Sequence, residues 1–236
     1  MKKKSKAAQR LIVALDVPSA EEARALITSL GDAVGCYKIG LELLFAGGAD
    51  LARELVDDGQ DVFIDAKLLD IPKTVERTTA NIAQLGAKFL TVHGHDRQTL
   101  EAAATGRGKS DLKLLAVTVL TSVDGSDLAQ QGVAIPAADL VAQRAKFAKQ
   151  AGFDGVVASP AEIGAIRQAV GPKLSIVTPG IRPAGAAKGD QKRVASPAAA
   201  IKNGADYLVI GRPITQAEDP RAAALAILDE IKKALK

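Results

Sequence analysis

The sequence predicts a single-domain α/β protein built as a (β/α)₈ barrel, the TIM-barrel architecture. Three observations carry that expectation. Eight short runs rich in Val, Ile and Leu recur along 236 residues, and the seven intervals between the first, near residue 10, and the last, near residue 206, average 28 residues. That is the length of one βα unit. The runs are continuously apolar, as parallel strands covered on both faces should be. A doubly wound open sheet is the alternative, but it usually carries fewer strands, and its dinucleotide-binding forms place G-x-G-x-x-G after the first. Here the first run ends Leu15-Asp16-Val17-Pro18, with no glycine.

Taken in order, strand one starts near Arg10, and Pro18-Ser19 opens the helix behind it, with Glu21 and Glu22 in its first turn. Strand two starts near Gly35 and strand three near Asp61. Pro72-Lys73-Thr74 begins the next helix. Strands four and five start near Ala87 and Lys113, and Pro136 opens a third helix. Strand six starts near Gly155, with Pro160 behind it. Strand seven starts near Leu174, strand eight near Asp206, and Asp219-Pro220 opens the last helix. Two connections are longer than the rest, 121–135 and 182–195. In a barrel both leave the C-terminal ends of strands, where sites are built, so they are candidate lids or binding loops. No linker interrupts the chain, and residues 10–236 are expected to form the catalytic barrel behind a basic, flexible tail of residues 1–9.

Composition narrows the function classes. With 47% hydrophobic and 25% charged residues the chain is neither disordered nor collagenous. No apolar run approaches the roughly 20 residues of a membrane span. The stretch after the basic start is cut by Asp16 and Pro18, too short for a signal peptide. One cysteine, Cys36, excludes an internal disulfide and fits a reducing, cytoplasmic setting. The net charge is +4, from 31 basic and 27 acidic side chains, and four of the basic ones lie in the first six residues. The body is therefore neutral. With no Trp and two Tyr there is no aromatic-studded basic stripe, so no nucleic-acid partner is expected.

The informative stretch is Phe63-Ile64-Asp65-Ala66-Lys67-Leu68-Leu69-Asp70-Ile71-Pro72-Lys73-Thr74. Residues two apart in a strand face the same way, so Asp65 and Lys67 share a face that is buried in a barrel. Such charges need partners. A register-fixing ion pair is one reading. Asp16 at the end of strand one and Lys38 in strand two favour another: four alternating charges at the catalytic end of three consecutive strands, a preorganised field for developing charge. After strand eight, Gly211 and Arg212 form a candidate anion site, because barrels commonly hold phosphate there, and the long loop behind Thr178-Pro179-Gly180-Ile181-Arg182 is placed to close over the same phosphate. His93 and His95 lack a third ligand at metal spacing, so no metal is expected. Neither Cys36 nor Ser159 has the surroundings of a nucleophile.

Asp65-x-Lys67-x-x-Asp70-Ile71-Pro72-x-Thr74, with Leu15-Asp16, Lys38-Ile39-Gly40, Thr178-Pro179-Gly180-Ile181-Arg182 and Gly211-Arg212, resembles the orotidine 5′-phosphate decarboxylase family. The resemblance runs from about Leu11 to the C-terminus. It implies decarboxylation of orotidine 5′-phosphate to uridine 5′-phosphate in pyrimidine biosynthesis, without a cofactor. It also implies that Lys67 protonates C6, that Asp65 lies beside the departing carboxylate, and that Lys38 and Asp16 hold the ribose. Asp70 and Thr74 would enter the neighbouring subunit's site, giving a homodimer with shared active sites. Thr121 or its neighbour Ser122 would touch the pyrimidine, and Arg182, Gln191, Gly211 and Arg212 would grip the phosphate. Two rival readings remain. One is a magnesium-dependent keto-gulonate-phosphate decarboxylase or hexulose-phosphate synthase, which shares Asp-x-Lys-x-x-Asp but lacks the Ile-Pro-x-Thr extension. The other is a non-catalytic phosphoribosyl-ligand-binding protein.

Overall fold

The computed structural model describes residues 5–183 and 195–236. Eight parallel strands close into a barrel: β1 (Leu11–Ala14), β2 (Cys36–Gly40), β3 (Asp61–Leu68), β4 (Phe89–His93), β5 (Lys113–Val117), β6 (Gly155–Val157), β7 (Ser175–Thr178) and β8 (Tyr207–Ile210). They are ordered as in the chain, and β8 pairs back onto β1 through Leu11–Leu208 and its neighbours. Alternation along each strand separates two cores. Ile12, Cys36, Phe63, Phe89, Leu115, Val177 and Val209 meet inside the barrel, while Val13, Tyr37, Ile64, Leu90 and Ile176 pack outward against the helices. Aromatic residues are scarce, yet three fill the barrel's centre edge to face: Phe63 on Phe89 at 5.8 Å, and Phe89 on Tyr207 at 5.2 Å.

The helices start where the sequence signals place them. Ser19 caps Ala20–Leu30 by accepting from the Glu22 N–H at 3.2 Å, Pro72 sits in the first turn of Pro72–Leu85, and Asp219 caps Pro220–Ala234. Pro160 opens a single tight turn ahead of the helix Ile163–Val170. Three features depart from expectation. The connection 121–135 contains a helix, Gly125–Gln130, closed by a reciprocal cap between Asp124 and Asp127. The expected tail shortens, because Ala7 is buried in the core and Ala8–Arg10 forms a turn that ties Arg10 to Asp206 at 3.2 Å. Finally, β3 is irregular: Ile64 pairs with Leu90 but Leu68 pairs with Val92, so three β3 residues oppose the single Thr91.

Acidic residues stitch the N-terminal ends of the strands. Asp61 takes Lys88 at 2.7 Å. Asp154 takes Arg107 at 2.8 Å and the Leu114 N–H at 2.9 Å. Asp206 takes Arg167 at 2.6 Å and the Ile176 N–H at 2.9 Å in addition to Arg10. Among the described residues no helix is long and apolar enough to cross a membrane.

Asp206 thus joins β1, β7 and β8 at the end of the barrel away from the charged cluster. Asp206→Ala should cost about 2–3 kcal/mol through the lost charge-assisted bonds, lowering Tm by roughly 4–12 °C in a chain of this size, with catalytic constants unchanged. Thermal unfolding followed by circular dichroism, beside a steady-state assay, checks both halves of the statement.

Candidate active site

The C-terminal strand ends surround a cavity of about 490 Å³. Each strand's inward alternation sets what it contributes. Ala14 and Asp16 come from β1 and its exit, Lys38 and Gly40 from β2, and Phe63, Asp65 and Lys67 from β3. Val117 and Val157, in β5 and β6, supply an apolar wall, and Gly180, Arg182, Gly211 and Arg212 close the far side. The four predicted charges form one row. Lys38 Nζ lies 2.9 Å from Asp16 Oδ1 and 3.4 Å from Asp65 Oδ2, and Lys67 Nζ lies 2.9 Å from Asp65 Oδ1. Exposure grades along it: the Lys38 and Asp65 side chains are 9% and 11% exposed, against 31% for Lys67 and 55% for Asp16.

Burial and charge oppose each other at the centre of this row. Burial presses the Asp65 carboxyl towards its neutral form, but Lys38, Lys67 and a hydrogen bond from Thr91 outweigh it and hold its pKa below the ordinary value of 3.8. Burial likewise works against the Lys38 ammonium, and Asp65 and Asp16 prevail, holding its pKa above 10.5. The stability that Asp65 contributes is therefore present above 3.8 and lost as pH falls through its lower folded value. That of Lys38 is present below 10.5 and lost as pH rises through its higher one. Across the neutral range both stay ionised. Gly40 makes room for the pair, since a Cβ there would lie 3.0 Å from Lys38 Nζ and 3.2 Å from Asp16 Oδ1.

Thr121 lines the cavity, and Ser122 lies off its wall. Asp70 and Thr74 are not brought to the cavity of their own chain. Both are exposed, and Asp70 Oδ1 accepts the Ile71 N–H at 2.7 Å. Gln191 lies outside the described residues. The Arg182 N–H donates to the Ala195 carbonyl at 2.9 Å. Arg182 itself turns one guanidinium N–H onto the Ile181 carbonyl at 2.9 Å. Gly211 is not forced by crowding, because a Cβ there would meet Ala14 Cβ at an ordinary 3.5 Å. Its carbonyl instead receives the Ile214 and Thr215 N–H groups of the short helix that presents Arg212.

Two contributors escape a reading of the sequence. Gln216 lines the cavity; its spacing four residues past Arg212, on a helical turn, is the signal that would find it. Leu41 lines the rim and is 49% exposed. The His93 and His95 rings lie 4.8 Å apart with their planes tilted by 59°, off the cavity wall. Burial, His95, Lys67 and Arg144 lower the His93 pKa to about 4, so this imidazole is neutral at pH 7. No group of three His, Cys, Asp or Glu side chains among the described residues could hold a metal ion. Cys36 is buried in the barrel interior.

A family model described as the orotidine 5′-phosphate decarboxylase/HUMPS family matches residues 9–227. A protein of Bradyrhizobium sp. (strain BTAi1 / ATCC BAA-1182) named orotidine 5′-phosphate decarboxylase is 58% identical over 226 residues, covering 96% of this chain and 93% of that one. One of the same name from Rhodopseudomonas palustris (strain BisA53) is 56% identical over 225 residues, covering 95% of each. The crystal structure of orotidine 5′-phosphate decarboxylase from Lactobacillus acidophilus superposes with a TM-score of 0.84 at 38% identity, covering 94% of this chain and 99% of that one.

Lys38 is the largest favourable charge acting on Asp65, so Lys38→Met should move the Asp65 carboxyl pKa upward. A carboxyl-carbon NMR titration of selectively labelled protein reads the midpoint. An unchanged midpoint would assign the whole effect to Lys67 and Thr91.

Proposed function

The chain belongs to the orotidine 5′-phosphate decarboxylase/HUMPS family, and from that premise we propose how its residues carry out the decarboxylation of orotidine 5′-phosphate to uridine 5′-phosphate. The observation that carries this reading is the alternating row Asp16–Lys38–Asp65–Lys67 along one wall of a cavity of nucleotide size. The pyrimidine lies against Val117 and Val157 with Thr121 at its edge, and Asp16 and Lys38 bind the ribose hydroxyls. The phosphate reaches Arg182, Gly211 and Arg212 on the opposite side, with Gln191 and Gln216 beside it. That grip is remote from the reacting carbon, so its binding energy serves to orient the ring.

The substrate carboxylate is then held next to Asp65. The bond from C6 to the carboxyl carbon breaks, carbon dioxide leaves, and the electron pair stays on C6. An electron pair in a ring-plane orbital has no conjugated sink. A fixed ammonium at that point supplies the stabilisation without Schiff base, metal or other cofactor. Lys67 meets the requirement, because its Nζ is held by Asp65 and still reaches the cavity. It transfers a proton to C6, giving uridine 5′-phosphate, and recovers one from water.

The same reading makes the protein a homodimer with shared sites. Asp70 and Thr74 are exposed beside Leu69 and Ile71, which expose 53% and 68% of their surface. Leu41 and Phe45, 49% and 90% exposed, are further apolar residues, with Leu41 at the cavity rim. A second copy covering these side chains places Asp70 against the partner's row, where a further carboxylate suits Lys67, and Thr74 against the bound ribose. The protein acts in the cytoplasm as one catalytic barrel behind a basic tail. The Ile71-Pro72-x-Thr74 extension favours this reaction over the magnesium-dependent phosphosugar chemistry of related barrels.

The decisive test is the ultraviolet absorbance change of orotidine 5′-phosphate with the purified protein, in the presence of a chelator. Turnover is expected. Lys67→Ala should abolish it while uridine 5′-phosphate still binds; near-normal turnover in that variant would remove Lys67 as proton donor.

Sharing of the site has its own test. Lys67→Ala and Asp70→Ala, each inactive, should regain about a quarter of wild-type activity when mixed after dissociation, because half the dimers are mixed and each mixed dimer has one intact site. Absence of recovery from demonstrably exchanged subunits would place Asp70 in the site of its own chain.

A further inference from the structure

β4 adds no wall to the cavity, yet one of its side chains touches the reacting apparatus from behind. Thr91 is fully buried. Its hydroxyl donates to Asp65 Oδ1 at 2.8 Å and accepts the backbone N–H of Lys67 at 2.9 Å. The same carboxylate oxygen takes Lys67 Nζ at 2.9 Å. One hydroxyl thus closes a small ring through the carboxylate and both ends of the lysine.

The backbone explains why such a tie is needed. Lys67 has φ +47°, the only positive value at a non-glycine residue among the described residues. That left-handed conformation is unfavourable for a side-chain-bearing residue and persists only where the surroundings impose it. It falls inside the irregular stretch of β3, where Thr91 faces three residues of the neighbouring strand. The slipped register takes the Lys67 N–H out of the ladder, and a buried N–H needs an acceptor. Thr91 Oγ1 supplies it.

We propose that Thr91 is a positioning residue for the decarboxylation: its hydroxyl fixes the Lys67 backbone in the left-handed conformation and orients Asp65, so that Lys67 Nζ stands where the electron pair develops on C6. Thr91 touches no substrate atom; it acts through Asp65 and Lys67. The proposal rests on the decarboxylase reading. A hydroxyl is suited to the position because it donates to a carboxylate and accepts from an amide at once. Valine has its shape and neither function.

The test compares wild type with Thr91→Ser, Thr91→Ala and Thr91→Val, using stopped or continuous decarboxylation assays and calorimetric binding of uridine 5′-phosphate. Ser and Ala both lack the methyl group and differ only in the hydroxyl. Thr91→Ser should stay within about threefold of wild type in kcat, whereas Thr91→Ala and Thr91→Val should lose about a hundredfold, the scale of a small misplacement of a reacting group. KM and nucleotide affinity should move less than about threefold, because the groups that bind phosphate and ribose are untouched. Equal kcat for the Ser and Ala variants would overturn the proposal. So would a loss shared evenly between kcat and nucleotide affinity. If Thr91→Ala failed to fold beside an active Thr91→Ser, the hydroxyl would be a folding determinant and the positioning role would fall. An inactive wild type would instead defeat the decarboxylase reading itself, which separates the two failures.

Discussion

A single buried carboxylate, Asp65, sets the arrangement of everything around the cavity. Removing a carboxylate from water costs several kcal/mol even after relaxation, and here the cost is offset by Lys38, Lys67 and Thr91 together. Lys38 is itself buried and requires Asp16 on its other side. The outcome is a chain of ions in which each neighbour carries the opposite sign. Such a row has no net charge, so it is inexpensive to fold relative to a lone buried ion. It still presents a steep field along its length, and its ends can interact with anything bound beside them.

The geometry of β3 follows from the same constraint. A regular strand would place Asp65 and Lys67 side by side on one face, with both backbones committed to the ladder. The register shift against β4 instead turns Lys67 into a left-handed residue. From Leu68 the chain leaves the barrel through exposed Leu69, Asp70 and Ile71, and Pro72 then holds Ile71 extended, at ψ 145°, at the head of the next helix. Six consecutive residues therefore pass from a buried carboxylate to an exposed one. In the proposed dimer the exposed apolar residues flanking Asp70 would supply the hydrophobic contact beside it.

How far this was legible in the sequence depends on what each feature needs. The eight strands could be read because parallel strands buried on both faces are apolar throughout, and Asp65 and Lys67 stood out as charges inside such a run. The helix starts marked by Ser19, Pro72 and Asp219 are local, so they too could be read. The β3 irregularity could not, since it exists only relative to β4. Thr91 was hidden for the same reason: an isolated threonine in an apolar strand reads as a β-former. The Gly125–Gln130 helix had a signal in Asp124 and Asp127, but aspartate at the third helical position is a weaker mark than glutamate. Ala7 was lost among lysines, because burial of one small residue in a basic stretch leaves no periodic trace.

The two ends of the barrel use the same residue types to opposite effect, and the difference lies in hydrogen-bonding capacity. At the N-terminal end Asp154 and Asp206 each accept both a guanidinium and a backbone N–H. Their lone pairs are committed within the chain, so these residues bear on stability. At the C-terminal end Asp65 is committed in the same way, to two ammoniums and a hydroxyl. Lys67 differs. An ammonium has three donors, and its described partner is Asp65 alone. It also keeps 31% exposure, towards the cavity, where Lys38 keeps 9%. Of the four ions, Lys67 is the one held by a buried carboxylate while its other donors remain open towards the cavity. The proposed role of Lys67 as proton donor draws on both properties at once, and they meet at the last member of the row.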